Sequence, residues 1–483
     1  MKLSQLAFLV STALCQFAAA RAVGKRAISS VVNGTPMGFA SAVTGGGDAE
    51  PVYPTTIDEL KEYLTSSDPQ VIVISGELDF SGSEGTQSLD ACDAYECTPD
   101  NGGQAMLNTL DGCSTSTYSV EIDTAAYQGI NVASDKTLVG KDKATLNGKG
   151  LRFVDASNII VQNIEITNLN PKYVWGGDAL SFSGTQNIWI DHVTTSSLGR
   201  QHYSFGSDAS SGITISNSFI NGETAQSSTC NGHSYWAMEL VGADDQITFY
   251  KNYVYKTSGR TPALSGNTLL HAINNVWSSN EGHLLEGDKS TSRGLYEGNY
   301  FEDVPTVVVD GFAGQLFTSD ASDVSQCSAY LGRDCVSNEL SSSGEFSSSD
   351  TGFLSDFKGQ SIPDVESASS IKSTVPTEAG NTFGFQGRSS HTVAQKDHSD
   401  CMETISDNAI HRAANSNETA AQRVQRQQSS IASQLQRIEG ELPRSTTESP
   451  STSRNNEPRR SGVADDLLYG VGSQFGATPG PAG

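Results

Sequence analysis

Between Thr137 and Val309 one short phrase keeps returning: a β-branched residue, any residue, an apolar residue, a polar pair holding Asn or His, then apolar again. It reads IIVQNIEI from Ile159, IWIDHVTT from Ile188, ITISNSFI from Ile213, ITFYKNYV from Ile247, LLHAINNVW from Leu269 and LYEGNYFE from Leu295. Alternation of period two over four to six residues is the signature of a strand, because successive side chains of extended backbone point to opposite faces. A strand phrase that recurs about every 25 residues marks a solenoid or array. One phrase per repeat is too little for a four-stranded propeller blade, and the connections lack the hairpin signals of a β-sandwich. The polar marks at Asn163, His192, Asn217, Asn252, Asn275 and Asn299 fit a parallel β-helix. There, side chains stacked in successive turns satisfy bent backbone, and His192 reads as a packed member of that ladder.

An open solenoid end exposes apolar strand edges and needs a cap. Thr55 to Leu64 supplies one, a short amphipathic helix in which Thr56 and Glu59 form a capping box. Val71 to Ile74 follows as the first strand. The expected organisation is a secretion signal over 1–20, a propeptide or N-terminal arm over 21–31 and the β-helix over 32–384. Beyond it, 385–483 is rich in Ser, Gln, Arg, Asn and Pro and reads as a disordered tail, with helical potential over 405–442. The signal has Lys2, an apolar run from Leu6 to Leu14 and small residues at Ala18 to Ala20. That run is too short to span a bilayer, so the expectation is a secreted, extracellular protein with no membrane partner.

Lys and Arg total 30 against 55 Asp and Glu. Such a surface is wrong for nucleic acid, whose phosphates are met by clustered cations, and it suits a neutral polymer better than a densely anionic one. Of eight cysteines, Cys15 lies in the signal. The others read as disulfides with one left over, Cys401 being the candidate. None has the spacing of a zinc site. Asn33 and Asn417 each open a glycosylation sequon. Asp178 on a Gly-Gly corner behind Trp175 and Arg200 opening Arg-Gln-His-Tyr stand about one repeat apart, each at a strand edge. They suggest a charged site assembled from stacked turns; Arg260 in Thr-Ser-Gly-Arg-Thr-Pro also stands out, either for chemistry or as a loop cation. No serine nucleophile elbow, phosphate loop or metalloprotease motif is present.

The segments WGGDA, NIWIDHVTTSSLGRQHY, TSGRTP, GNTLLHAINN and YLGRDCV, in this order, resemble those of the pectin lyases of fungi, members of the pectate lyase superfamily (polysaccharide lyase family 1). The resemblance runs from about Val32 to Gly384. It implies a single-stranded right-handed parallel β-helix and β-elimination within methyl-esterified polygalacturonate. A base takes the C5 proton and the C4 glycosidic oxygen leaves, giving a 4,5-unsaturated end. It places Arg260 as the counterpart of the proposed base, with Arg200 and Asp178 as the charged pair beside it. It also implies the disulfides Cys92–Cys113, Cys97–Cys230 and Cys327–Cys335. Calcium-dependent relatives carry clustered acids here. This chain has none between Asp191 and Asp208, so Arg200 would stand where calcium does, with no metal and no cofactor required.

An always-protonated guanidinium is a poor base. Arg260 is therefore expected either as a base forced down by its surroundings or as a stabiliser of the developing enolate. Trp175, Tyr203, Tyr235 and Trp236 are the expected sugar platforms. Two departures from the family stand out: Ala263 replaces a usual Lys, and the Cys92–Cys113 loop has no Trp. The competing readings are a calcium-dependent pectate lyase, a hydrolase using a carboxylate dyad (Asp244-Asp245 is the one adjacent pair among the repeats) and a non-catalytic polysaccharide-binding solenoid. The expected partner is a methyl-esterified pectin polymer, acted on by a monomer.

Overall fold

A computed structural model describes residues 27–382. The signal over 1–20, most of 21–31, Cys401, Asn417 and the tail with its 405–442 segment lie outside the described residues. So do the last two residues of the expected 32–384 domain.

The chain forms a parallel β-helix. Each coil lays a strand onto the same strand of the coil before, and the repeat phrases are those strands. Ile188 and Ile190 pair in register with Ile159 and Val161 on one side and with Ile213 and Ile215 on the other. Further coils add Gln246–Tyr250, Leu269–Ile273 and Arg293–Glu297. The long strand Ser157–Leu169 bends from this sheet into a second run of short strands, Thr194–Leu198, Phe219–Asn221, Tyr253–Tyr255, Val276–Ser278 and Tyr300–Glu302. A third sheet of six strands closes the coil: Ile130–Asn131, Leu151–Val154, Leu180–Ser183, Tyr203–Phe205, Met238–Leu240 and Ala263–Leu264. Alternate residues fill the interior, where Phe182 stacks on Phe205 at 4.4 Å and Phe153 tilts against Phe182 at 5.0 Å. Burying each such side chain stabilises the fold by roughly 1.5–3 kcal/mol.

The cap helix is Ile57–Thr65, and its capping box is complete, the Thr56 side chain and the Glu59 carboxylate each accepting the other's backbone N–H. Leu60 and Leu64 enter the main core. Before the first expected strand, Pro51–Val52 already pairs with Val71 and Ile72. The N-terminal arm crosses the outside of the sheet. Ile28 and Val32 pack near Trp189, and the backbone of Ala40 donates to Thr214 Oγ1 at 3.1 Å.

The ladder exists, but the polar marks fall in two columns rather than one. Asn252, Asn275 and Asn299 form it, and Asn338, outside the repeat window, continues it. Each backbone N–H donates to the side-chain oxygen of the next coil's Asn, at 2.8 to 3.0 Å. Each side-chain NH2 donates both to the next Asn oxygen and to a strand carbonyl. Asn163, His192 and Asn217 sit one position earlier, at left-handed backbone of φ 58°, 51° and 47°. Asn tolerates that region because its short side chain bonds locally. His192 is therefore not a ladder member; its ring instead meets Asp191 Oδ2 at 2.8 Å.

Candidate active site

One column of the third sheet alternates with its apolar interior. Pairing aligns Arg152, Ser181, Ser204, Glu239 and Ala263, and a bridge extends the line to Glu286. Turns entering the same strands deliver Asp178, Arg200 and Arg260. Arg152, Asp178, Arg200, Glu239, Arg260 and Glu286 thus come one from each of six successive coils.

The turn sequences explain the placement. At Gly177, φ is 152° and an added Cβ would lie 2.2 Å from the Ala126 carbonyl oxygen. That corner lets the chain pass close enough to present Asp178. At Gly259 a Cβ would lie 2.3 Å from the Tyr235 ring, so the backbone before Arg260 rests directly on that aromatic face. Arg260 itself adopts φ 45°, a left-handed conformation uncommon for a long side chain.

The three expected residues converge, and two acids the sequence reading did not include hold them together. Glu239 shares its two oxygens between the guanidiniums: Oε2 meets Arg200 Nη2 at 2.5 Å and Oε1 meets Arg260 Nη1 at 2.8 Å. Arg200 also reaches Asp178 Oδ2 at 3.5 Å, and Asp178 Oδ1 accepts the Gln201 N–H at 2.8 Å. Arg260 Nε lies 3.2 Å from Glu286 Oε1. Glu286 Oε2 in turn meets His283 Nε2 at 2.7 Å and the Tyr235 hydroxyl at 3.2 Å. The rule that acids are absent near Arg200 was applied along the chain. Across coils it fails, because the neighbour of Arg200 comes from the next strand.

Charge follows from this packing. Burial pushes the Glu239 carboxyl up, but the two guanidiniums outweigh it and hold the group below the usual range. Burial also works against charge on Arg260, yet Glu239 and Glu286 more than offset it and hold its pKa above the ordinary value. Arg260 is kept protonated. Asp178 goes the other way: burial raises it, and Arg200 with the Gln201 N–H offset that only in part.

Of the aromatic residues, Trp175 covers Arg200 with its ring centroid 3.8 Å from Cζ, and Trp236 covers Arg260 at 4.9 Å. Each side chain remains partly exposed. Tyr235 lies edge-on to Trp236 and His283 and braces Glu286. Tyr203 is a correction. It is fully buried in the core, registered between Leu180 and Met238, so period-two alternation turns it inward and Ser204 outward, and it meets no substrate. Tyr95, from the Trp-poor cysteine loop, lies within electrostatic reach of both arginines, while burial pushes its phenol up to about 12. All three disulfides pair as the resemblance implied, and Cys97–Cys230 ties the Tyr95 loop to the turn that leads into Tyr235.

The carboxylates at this site are already engaged by guanidiniums and N–H or O–H donors, whereas calcium asks for six to eight oxygen ligands. Both Glu239 oxygens, both Asp178 oxygens and both Glu286 oxygens have partners among the described residues. Two guanidiniums stand in their midst. The residues do not fit a calcium site. Asp245, half of the dyad a hydrolase would use, is spent on structure: it accepts the N–H groups of Ser210 and Gly242 at 2.9 Å each.

Carboxylates and guanidiniums, buried or partly so, line up coil by coil on a parallel β-helix, and the comparisons give the class of such a chain, a polysaccharide lyase. The family model described as pectate lyase matches residues 105–351. Probable pectin lyase E of Aspergillus niger is 69% identical over 357 residues, an alignment covering 74% of this chain and 96% of the relative. Probable pectin lyase A of Aspergillus flavus is 53% identical, with 72% and 93% covered. Among solved structures, the pectate lyase pelN from Paenibacillus sp. 0602 aligns with a TM-score of 0.46 at 13% identity, over 73% of this chain and 96% of that one. The chain belongs to the pectate lyase family.

Proposed function

We propose that this protein is a secreted pectin lyase that cleaves methyl-esterified (1→4)-α-D-galacturonan by calcium-independent β-elimination. The observation that carries the reading is Glu239: both its oxygens are bound by Arg200 and Arg260 where a metal-dependent relative would need free carboxylates.

The chemistry follows from the charges. Asp178, Glu239 and Glu286 are balanced by Arg152, Arg200 and Arg260, so the row has no net charge to spare. A galacturonate carboxylate entering there would find every cation already countered, whereas a methyl ester is neutral and asks for none. The ester carbonyl acidifies the C5 proton. As that proton leaves, charge builds on the carbonyl oxygen, and a preorganised cation beside it is worth roughly 3–4 kcal/mol. Arg260, held charged by two carboxylates, is suited to that role rather than to abstracting the proton, which passes to water in the cleft. The C5–H electrons form the C4–C5 double bond, and the C4–O bond breaks with its oxygen taking up a proton. Trp175 and Trp236 offer their exposed faces to the sugar rings. The protein works as a monomer. Asn33 is exposed, with its backbone clamped by Gln162 at 2.8 and 2.7 Å, and carries an N-glycan; a mass loss on endoglycosidase treatment that is smaller by one glycan in Asn33→Gln than in wild type tests it.

The main test is incubation with highly methylated pectin in a chelator, following ultraviolet absorbance of the unsaturated ends. Absorbance that rises regardless of the chelator supports the reading. Activity only on demethylated polymer with calcium, reducing ends without absorbance, or no cleavage at all each overturns it, in favour of a pectate lyase, a hydrolase or a binding solenoid respectively.

A further inference from the structure

Arg260 is fixed by more than its bond to Glu239. A guanidinium is planar and presents its donors in a rigid fork, so two partners on different edges define where the third corner points. Glu239 accepts from Nη1 at 2.8 Å, and Glu286 faces the Nε edge at 3.2 Å as an ion pair without hydrogen-bond alignment, while Trp236 covers one face. Nη2 is the corner left for a substrate oxygen. Glu286 in turn does not stand freely. It enters the row through a single bridge, Ala263 to Glu286, and its far oxygen is held by His283 Nε2 at 2.7 Å and by Tyr235 at 3.2 Å. His283 must therefore carry its proton on Nε2 to donate, and the Tyr235 ring is itself seated against Gly259.

We propose that Glu286, anchored by His283 and Tyr235, is the positioning residue that aims Arg260 into the cleft, so that the rate depends on a three-residue brace two coils long. None of these groups has to touch the reacting atoms. The inference rests on the pectin lyase reading for its kinetic test but not for its structural one. The alternative is that the brace merely closes the coil, in which case its removal changes stability and leaves turnover per folded molecule as it was.

The variants are Glu286→Ala, His283→Leu, His283→Gln and Tyr235→Phe, assayed as full-length protein on methylated pectin. Misaiming a catalytic group by about 1 Å costs on the order of 100-fold. Glu286→Ala should therefore lower kcat by about 100-fold with KM held within about twofold, the pattern of an interaction felt only in the transition state. His283→Leu should lose about tenfold, Tyr235→Phe about threefold, in proportion to what each contributes to holding Glu286. His283→Gln, whose amide nitrogen can replace the Nε2 donor, should recover most of what His283→Leu loses. Should Glu286→Ala not fold, Glu286→Gln serves, since it keeps the shape and removes the charge. Independently of activity, a crystal structure of Glu286→Gln should show the Arg260 guanidinium turned away from its wild-type position. If kcat stays within twofold of wild type in the Glu286 and His283 variants, or only KM changes, or the Arg260 guanidinium keeps its place in Glu286→Gln, the proposal is wrong. A wild-type protein that releases no unsaturated product sinks the pectin lyase reading instead, and the variant's structure then decides the brace alone.

Discussion

Two corners of the same solenoid stack polar side chains coil upon coil, and they come to opposite ends. On one corner Asn252, Asn275, Asn299 and Asn338 repeat one neutral residue, each side chain accepting from one neighbour and donating to the next. Nothing is left over. On the other, Asp178, Arg200, Glu239, Arg260 and Glu286 alternate charge, and each guanidinium gives Glu239 a single nitrogen instead of a bidentate grip. The contrast is chemical rather than architectural. Identical side chains at coil spacing saturate one another and only stabilise, whereas unlike charges at the same spacing hold each other in place with hydrogen-bonding capacity to spare.

Substitutions that swap the character of one corner for the other separate these roles. Glu239→Gln should have the largest effect, because it removes the carboxylate the two guanidiniums share and leaves Arg200 only Asp178 at 3.5 Å and Arg260 only Glu286 at 3.2 Å. Breaking a buried pair in this way costs about 3–5 kcal/mol, read as a fall in Tm together with loss of activity. The pH dependence has a definite sign. A carboxyl held below its unfolded value of 4.5 stabilises above that value, and the contribution is lost as pH falls. Wild type should thus lose stability on acidification below about pH 4.5 more steeply than Glu239→Gln.

Arg260→Ala comes next, with kcat reduced by roughly 100- to 1000-fold, the size of one oxyanion donor. Arg260→Lys, a charge without the fork, should fall between. Asn275→Leu tests the other corner. It orphans the Asn252 N–H and the Phe249 carbonyl, each costing about 1–3 kcal/mol, yet kcat per folded molecule should not change. Loss of turnover without loss of stability there would break the comparison. The smallest change is Asp178→Asn. Its carboxyl is raised above 3.8 in the folded state, so the group costs stability increasingly as pH climbs past that value. The variant should melt no lower than wild type at pH 7 while kcat/KM falls about tenfold, roughly 1.4 kcal/mol.

The fold was legible because its strands announce themselves by local alternation. The β-helix, the cap helix and the pairing of Asp178 with Arg200 follow from residues near one another in sequence or one repeat apart, whereas Arg260, two coils beyond Arg200, was placed with them by the family resemblance. Glu239 and Glu286 escaped for a physical reason. Each is an acid in an otherwise apolar strand phrase, Met-Glu-Leu and Leu-Glu-Gly, and its partners come from adjacent coils that only strand register identifies. Aligning Met238–Leu240 under Tyr203–Phe205 would have found the first. The same omission misplaced Tyr203, whose inward side follows from Ser204 facing out. The two Asn columns differ by a single position, which a loose phrase does not resolve.

The interval between successive members of the charged row is set by main-chain pairing, about 4.8 Å from strand to strand. Side-chain replacement can alter which group occupies a rung, as at Ala263, but leaves the rungs where they are. Any change in the length of polymer the enzyme engages must therefore come from the turns that overhang the row, and insertions there leave its pitch untouched.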